Sequence, residues 1–298
     1  MNSDKGTGKM KGRAAGNRRA ALLRAAIQAA FFVSMPSAFV ATFSGIKDIF
    51  QRISTGSVLE TGSFVRVLIG LCLFTIFFGR YFCGFACAFG SLGDLVYYVS
   101  GLIQKKLFRR KRQVSVPAAW SPLLQKLKFL ILAGIVTLCA TGFYEPLKNW
   151  KWNPWSVFSF VVALRFDLND HVIGTVLLLL IIAGMAVKER FFCQFLCPMG
   201  AVFALLPQFP FAWLRRDAEQ CLPKCSACRN RCPVDIQLET DGFRNGECIS
   251  CEKCAGVCPR SNLTRWDLRL LHGTAVPMLL KAALLLALGG YLGLCRFL

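Results

Sequence analysis

The chain contains two cysteine-rich runs, CLPKCSACRNRCP at residues 221–233 and CISCEKCAGVCP at residues 248–259. Each run supplies four cysteines at short, regular spacings, and its last cysteine directly precedes a proline. The second run has the spacing Cys-x2-Cys-x2-Cys-x3-Cys-Pro, and the first has one extra residue between its first two cysteines. So many thiols in so short a segment predict a metal-containing site.

This spacing is typical of bacterial ferredoxin-like domains with two [4Fe–4S] clusters. Three thiolates of a run bind one cluster, and the fourth, before the proline, binds the other. One predicted cluster is therefore held by Cys221, Cys225, Cys228 and Cys258, and the second by Cys232, Cys248, Cys251 and Cys254. Zinc is an alternative, because paired Cys-x2-Cys motifs also suit tetrahedral sites, but zinc sites usually separate their pairs by a longer loop. A disulfide framework is the third alternative.

The rest of the chain is too apolar for an ordinary soluble protein. Of its 298 residues, 55% are hydrophobic, and the mean hydropathy is +0.48. Five apolar stretches approach the ~20 residues that cross about 30 Å of hydrocarbon; they lie at 25–43, 64–82, 127–144, 171–187 and 274–294. We therefore expect an α-helical integral membrane protein with about five spans, two repeated helical hairpins and a small two-cluster ferredoxin-like domain.

The distribution of charge predicts how these parts are arranged. The net charge of +20 would suit a nucleic-acid partner, but the basic residues concentrate before the first span, between the second and third, and after the fourth. The 44–63 and 145–170 loops are nearly balanced, which is the pattern of the positive-inside rule. We expect a basic cytoplasmic N-terminus (1–24), a four-span membrane domain (25–214), a cytoplasmic cluster domain (215–265) and a C-terminal span (274–298). The expected partner of the charges is the lipid bilayer, not nucleic acid.

An eleven-residue motif occurs twice. RYFCGFACAFG at 80–90 recurs as RFFCQFLCPMG at 190–200, with six identical positions. Both copies follow an apolar stretch and are predicted to lie on the cytoplasmic side. Repeats of equal orientation imply an approximate twofold axis along the membrane normal. The two copies are therefore expected to face each other close to the cluster domain.

Four cysteines of the two motifs form a second candidate site. In each copy the thiols are four residues apart, a spacing that places them on one helix face. They could hold a metal or an additional cluster, alternate between thiol and disulfide, or pack helix against helix as small, soft side chains. The sequence leaves these readings open for Cys83, Cys87, Cys193 and Cys197.

The 145–170 loop is rich in aromatic residues, with three tryptophans around Asn153 and Pro154. Such a segment suits an interfacial aromatic belt. It could instead dip into the membrane and shape a quinone pocket, with Asn153, Pro154 and Ser156 as candidate lining residues. The two histidines, His171 and His272, are predicted at opposite ends of different spans, so a bis-histidine haem is excluded. Glycine motifs for nucleotide binding are absent from the sequence.

The two eleven-residue motifs, Asn153-Pro154-x-Ser156 and the eight cluster cysteines together resemble the NapH/NosR-like membrane ferredoxins, over about residues 25–265. Ala88 stands where family members usually have proline, and the apolar segment from Thr274 departs from the simplest members. The resemblance implies a quinol dehydrogenase or electron-transfer subunit of a respiratory oxidoreductase in the bacterial inner membrane. Such a subunit would pass electrons between the quinone pool and a redox partner protein; catalytic residues stay unidentified.

A second hypothesis is an assembly or maturation factor that reduces metal ions or thiols for another membrane enzyme. In that role the four motif cysteines would face the substrate. A membrane redox sensor is the third hypothesis, and it ranks last because no recognisable output domain follows the clusters.

Overall fold

The computed structural model describes residues 4–56, 62–109, 121–141, 154–162, 171–209, 214–217, 219, 221–222, 225–236, 246–260, 262–264 and 275–295. These residues are mostly helical, and a small cysteine-rich module packs on the helices. In chain order the elements are α1 (Asp4–Ser34), α2 (Ala38–Thr55), α3 (Ser63–Phe78), a π-helical turn (Phe82–Ala86), α4 (Ala88–Phe108), α5 (Ser121–Ala140), α6 (Pro154–Val162), α7 (Val172–Val187), α8 (Phe191–Phe195), α9 (Pro198–Leu205), β1 (Arg215–Arg216), α10 (Ala227–Asn230), α11 (Lys253–Val257), β2 (Leu263–Thr264) and α12 (Ala275–Tyr291).

The first predicted span is broken. The stretch 25–43 is divided between α1 and α2, whose axes differ by 60°. Proline lacks a backbone N–H and disfavours helical geometry in the residue before it, so Pro36 explains the break after Ser34. The 44–63 segment, expected as a loop, is helical as far as Thr55. The first predicted span is therefore divided between two helices and is not confirmed as a single crossing.

About five membrane spans are not confirmed. Within the described residues, one helix is long and apolar enough to cross a bilayer, at Leu123–Ala140, and the bent pair α1–α2 makes a second if it counts as one span. The helices at the second, fourth and fifth predicted positions are α3, α7 and α12, with 16, 16 and 17 residues. Sixteen helical residues rise about 24 Å, less than a ~30 Å hydrocarbon layer.

These helices nevertheless expose much apolar surface. Leu73 on α3, Leu130 on α5, Leu180 on α7 and Leu280 on α12 are each at least half exposed. Many neighbouring leucine, isoleucine and valine side chains on the same helices are also exposed. Extended apolar surface of this kind is rare on soluble monomers and marks contact with a membrane or a partner.

The break at Pro36 positions an aromatic centre beneath the two repeated motifs. Phe39, the second residue of α2, contacts Phe89 of the first motif and Phe192 of the second at centroid distances of 6.0 and 6.2 Å. It also stacks on Trp155 of α6 at 6.3 Å. Phe39 is 1% exposed, so the core of the helical part lies where the two motifs meet.

Helices that carry the first repeat pack against helices that carry the second. α2 packs on α3 and α5, α7 packs on α4 and α6, and α8 and α9 pack on α5. The third and fourth predicted spans therefore each pack on a helix of the first half. Below them, β1 and β2 form an antiparallel pair with Arg215 opposite Thr264, and α10 packs on α11. This module carries the eight clustered cysteines.

Candidate iron–sulfur centres

Asn262 links two cysteines that come from different runs. Its Nδ2 donates to Cys221 Sγ at 3.1 Å, and Cys258 Sγ donates to its Oδ1 at 2.7 Å. Burial raises the pKa of Cys228, and the nearby Cys258 thiol adds to that rise. The last cysteine of the second run therefore lies with cysteines of the first, the crossing that the spacing predicts. Cys225 precedes α10 on the same loop.

The short strand pair positions the donors around Cys221. Arg216 on β1 pairs with Leu263 on β2, and Asn262 directly precedes Leu263. Arg216 and Asn262 are therefore close neighbours at the strand pair. Arg216 Nε donates to Cys221 Sγ at 3.1 Å. The hydrogen bonds from Arg216 and Asn262 lower the pKa of this exposed thiol. Donors to ligand sulfur stabilise the thiolate that an iron–sulfur cluster needs.

The second set brings Cys232 to the cysteines of the other run. Burial raises the pKa of Cys232 to about 12, and the Cys251 and Cys248 thiols nearby contribute to the rise. Burial also raises the pKa of Cys254, again with the Cys251, Cys248 and Cys232 thiols as neighbours. The backbone N–H of Ile236 donates to Cys232 Sγ at 3.5 Å. These four thiols are the set that the spacing assigns to the second cluster.

The four motif cysteines also come together. All four are buried, with 5–7% of each residue exposed. Burial raises the pKa of Cys87, and the nearby Cys193 and Cys83 thiols raise it further. Burial likewise raises the pKa of Cys197, with Cys193, Cys83 and Cys87 as its neighbours. The two motifs therefore face each other, and a set of four thiols occupies their junction.

The second cysteine of each motif is the N-cap residue of a helix. Cys87 precedes α4 with φ −67° and ψ 115°, and Cys197 precedes α9 with φ −76° and ψ 112°. Gly200 N–H donates to Cys197 Sγ at 3.2 Å, whereas the Cys87 side chain makes no such capping bond. With Ala88 in place of proline, the backbone angles of the turn stay nearly the same. A helix N-terminus favours negative charge, which offsets part of the burial that raises the pKa of both thiols.

The arginine that opens each motif reaches across to the other motif. Arg190 Nη1 donates to Cys83 O at 2.6 Å, and a Cβ on Gly90 would collide with that same nitrogen. Reciprocally, a Cβ on Gly200 would lie 3.0 Å from Arg80 Nη2. Gly90 and Gly200 are equivalent residues of the two motifs. A side chain at Gly90 would overlap the opposite guanidinium, and a side chain at Gly200 would crowd it.

Both arginines are held by carboxylates. Arg190 binds Asp94 through Nε at 2.8 Å and Nη2 at 2.7 Å, and Arg24 binds the same carboxylate at 3.2 Å. Arg80 binds Glu247 at 3.2 Å. Arg190 itself has φ 59°, in the left-handed region that costs a non-glycine residue energy. Its fourfold hydrogen bonding to Asp94 and the first motif holds it there.

The cysteine module docks on the two motifs at matching positions. Gly84, which follows Cys83, approaches the backbone so closely that a Cβ would collide with Ile249 O. Gln194, which follows Cys193, donates from Nε2 to Val234 O at 3.1 Å. Ile249 follows Cys248 and Val234 follows Cys232-Pro233, so both contacts adjoin ligands of the second set. Two more bonds close the junction: Arg24 to Cys251 O at 3.0 Å and Arg80 to Gly246 O at 2.9 Å.

The chemistry of these sites fits iron–sulfur clusters. The donors are soft thiolates, and backbone, amide and guanidinium N–H groups surround them, as cluster sites require. In the described part of the chain, three or more His, Cys, Asp or Glu side chains nowhere converge as a single metal ion would need. Ligands of a four-iron cluster lie farther apart than those of one ion, because the cluster stands between them.

The quinone-pocket candidates are only partly described. Asn153 lies outside the described residues, and Ser156 lies in α6, of which the side chains described include Trp155, Val157 and Phe158. Pro154 is buried at the start of α6. Trp155 stacks on Phe43 at 5.6 Å, and Phe158 meets Phe89 at 5.0 Å. The segment therefore packs into the aromatic centre, and its role in quinone binding stays a prediction.

Sequence reasoning overlooked the buried charges. Arg190 was counted among the basic residues that mark the cytoplasmic side, and Arg80, Asp94 and Glu247 received no role. The available signal was the arginine at the first position of both motifs, together with the glycine at the last position of both. An identical pair of charged and small residues in two copies indicates a contact that both copies make.

Comparison with known proteins agrees with this picture. A family model described as a 4Fe-4S binding domain matches residues 62–115 and 171–217. These segments contain the four motif cysteines and end before Cys221. No solved structure matches the chain.

Three relatives illustrate the similarity. An uncharacterized protein of Methanocaldococcus jannaschii is 28% identical over 82% of this chain and 94% of its own length. The ferredoxin-type protein NapH of Escherichia coli is 21% identical over 73% of each chain. The methylamine utilization ferredoxin-type protein MauN of Methylobacillus flagellatus is 26% identical over 72% of this chain and 60% of its own. The resemblance inferred from the motifs is confirmed.

Proposed function

Because the chain matches the NapH/NosR-like family of ferredoxin-type proteins, we propose that it carries single electrons between the quinone pool and a redox partner protein. Two [4Fe–4S] clusters would serve as carriers, on Cys221, Cys225, Cys228 and Cys258 and on Cys232, Cys248, Cys251 and Cys254. The observation that carries the proposal is the exchange of pre-proline cysteines. Cys258 lies with Cys221 through Asn262, and Cys232 lies with Cys254.

A cluster at each set would supply reversible one-electron transfer. The residues of this chain bind and tune it. Arg216 and Asn262 donate to Cys221, so they favour its thiolate and draw charge from any bound cluster. Ile236 N–H does the same for Cys232. The second set is more deeply buried than Cys221, which keeps water from its sulfur atoms and gives the two sites different surroundings.

The proposed location is the bacterial inner membrane, with several passes and with the clusters in the cytoplasm. Exposed leucines on α3, α5, α7 and α12 support contact with lipid. Lys128 of α5 ion-pairs with Glu247 of the module, two turns after the start of that helix. The module therefore adjoins one end of the apolar helices, where the alternation of charge in the sequence predicts the cytoplasmic face.

The proposed quinone site lies at the segment of Asn153, Pro154 and Ser156, next to the aromatic centre around Phe39, Trp155 and Phe192. Aromatic walls with few polar groups suit a flat, apolar ligand. The centre adjoins both motifs, so a quinone next to it would be close to the cysteine module. Asn153, Pro154 and Ser156 stay the candidates for its rim.

Quinol-driven reduction tests this function. The full chain is purified anaerobically in detergent, mixed with a soluble quinol such as duroquinol, and followed by bleaching of its visible absorbance and by EPR. We expect reduction of the clusters by quinol, or reoxidation of dithionite-reduced clusters by the matching quinone. Clusters that exchange electrons with dithionite but with neither quinol nor quinone would rule the quinone assignment out.

The alternative, a maturation factor that presents the motif thiols to a substrate, has less support. Each of the four residues is 5–7% exposed, and the cysteine module packs over the motifs. Thiol exchange needs an accessible thiolate. Electron transfer through buried centres needs no such access.

A further inference from the structure

We propose that Cys83, Cys87, Cys193 and Cys197 bind a third [4Fe–4S] cluster, which lies between the two motifs and relays electrons to the cluster on Cys232, Cys248, Cys251 and Cys254. This site is separate from the eight-cysteine module. It is the part of the molecule where four buried thiols meet and no function has yet been given to them.

The first argument is the pairing of the two motifs. Each supplies two thiols, and the guanidinium of each reaches the backbone of the other at Gly90 or Gly200. Cys87 and Cys197 have nearly the same backbone angles, and each directly precedes a helix. A site built by two equivalent halves presents four thiols in two equivalent pairs, Cys83 with Cys193 and Cys87 with Cys197. Four thiolates are the ligand set of a [4Fe–4S] cluster.

The second argument is the surplus of buried positive charge. Arg24, Arg80, Arg190 and Lys128 are each at most 6% exposed, and they share the two carboxylates Asp94 and Glu247. Among these six side chains, four are cationic and two anionic. Buried charge is costly unless opposite charge compensates it. Four neutral thiols would leave the surplus in place, whereas four thiolates around a [4Fe–4S]²⁺ core carry a net charge of about −2.

The third argument is hydrogen bonding. Arg80 and Arg190 bond the first thiol of their own motifs, Cys83 and Cys193. Arg80 Nε is buried and lacks a hydrogen-bond partner among the described residues. An unpaired buried donor is unfavourable. Cluster sulfides accept hydrogen bonds, so a cluster at this site supplies the kind of acceptor that this donor lacks.

The family comparison favours a cluster over a single ion. The family model that spans both motifs is that of a 4Fe-4S binding domain, and it ends before the eight-cysteine module. This match fits a multinuclear centre at the motif cysteines.

The relay follows from the docking contacts. Residues 84 and 194 are equivalent, and they touch Ile249 and Val234, which adjoin Cys248 and Cys232. Arg190 interacts with Cys193 of the motif site and with Cys251 of the module. The two thiol sets are therefore linked by the Arg190 guanidinium, by the close approach of Gly84 to Ile249 and by the hydrogen bond from Gln194 to Val234. A cluster held by Cys83, Cys87, Cys193 and Cys197 would supply a one-electron carrier beside the ligands of the second set.

Iron and sulfide analysis of the full chain, purified anaerobically in detergent, tests the proposal. Three clusters give about twelve irons per chain, and two give about eight. The double variant Cys87→Ser/Cys197→Ser is expected to lose about a third of the iron. Cys295→Ser, a half-buried cysteine outside both sites, should lose none. About eight irons in the unmodified chain, with or without one zinc, would overturn the proposal, as would about ten, the content of a [2Fe–2S] site.

EPR of the dithionite-reduced protein gives an independent readout. Neighbouring paramagnetic clusters broaden each other's signals. The double variant should keep the broadening between the two clusters of the module, and the unmodified chain should show additional broadening from the motif cluster. Unchanged iron content and spectra in the double variant would contradict the proposal. These measurements use dithionite, so their outcome does not depend on whether quinol reduces the protein.

Discussion

Arg80 and Arg190 are among the largest fully buried side chains of the described residues, each 1% exposed. Their position in both motifs indicates a structural role that the positive-inside rule does not predict. A basic residue after an apolar stretch satisfies the positive-inside rule. Yet each of these arginines points inward, where it joins the two motifs and compensates carboxylates from α4 or the cysteine module.

Replacement of Arg190 by methionine should destabilise the protein strongly. The change leaves Asp94 partly uncompensated and leaves the Cys83 and Gly84 carbonyls without their donor. Removal of one partner of a buried ion pair costs about 3–5 kcal/mol. Thermal unfolding in detergent, followed by helical circular dichroism, measures the loss. Arg66→Met, on an exposed side chain of α3, is the matched control and should be nearly neutral.

Asp94 gives a prediction about pH. Burial alone would raise the pKa of its carboxyl, but Arg190, Lys253 and Arg24 outweigh that effect and lower the pKa well below its ordinary value. A depressed pKa contributes stability above the unfolded-state value of about 3.9, and this stability is lost only as the pH falls toward the folded-state value. The stability difference between the wild type and Asp94→Asn should therefore stay constant from about pH 8 to about pH 5. A difference that changes over this range would contradict the lowered pKa, because it would require a folded-state pKa of Asp94 that is raised above the unfolded-state value.

At the scale of the elements, the sequence predicted positions better than lengths. The apolar stretches at 64–82, 171–187 and 274–294 contain α3, α7 and α12, but each helix is shorter than its stretch. Gly79 has φ 69° and ends α3, and Cys83 then lies in a π-helical turn. Hydropathy cannot detect such ends, because the residues beyond them are equally apolar.

Pro36 and the four motif cysteines illustrate two reasons why the structure could not be fully predicted from the sequence. The proline was visible in the sequence, but a proline inside an apolar run is also compatible with a kinked single span. The equivalence of Cys83 and Cys193 was evident from the repeat, and the facing of the motifs followed from it. The charged surroundings of these cysteines could not be predicted from the repeat, because Asp94 and Glu247 lie outside the motifs and contact them only through tertiary packing.

The contact between the π-helical turn and the module should be sensitive to a single methyl group. Gly84→Ala places a Cβ against Ile249 O, so the backbones must separate. Overpacking of this kind costs about 1–3 kcal/mol. We expect a lower unfolding temperature and faster loss of iron to a chelator. Gly134→Ala, at a position in α5 with open space around its Cβ, should leave iron retention unchanged.

At the scale of the whole molecule, the number of crossings is the main open prediction. An odd number of spans would place the C-terminus opposite the N-terminus and the cysteine module. The 17 residues of α12 carry exposed leucines along their length. Of these, Leu280 is adjacent to Lys281, a buried lysine whose ammonium lies 5.9 Å from the ring of Tyr81.

Reporter fusions after Leu298 test this arrangement. Alkaline phosphatase is active only outside the cytoplasm, and green fluorescent protein exported in unfolded form does not fluoresce. If α12 crosses the membrane outward, the phosphatase fusion should be active and the fluorescent fusion dark. The same reporters after residue 24 are the control and should give the reverse pattern. A fluorescent C-terminal fusion would contradict the fifth span.

Arg80 lies close to Gly200, and Arg190 lies close to Gly90. The two motifs can therefore pack together only after both have been synthesised. The ribosome completes the first motif 110 residues before it completes the second. Until then Cys83 and Cys87 lack the two cysteines of the second motif, and Asp94 lacks Arg190, its main counter-ion. The nascent first half therefore holds only two of the four motif cysteines. Iron and inorganic sulfur cannot be inserted at this site until the second half has been synthesised.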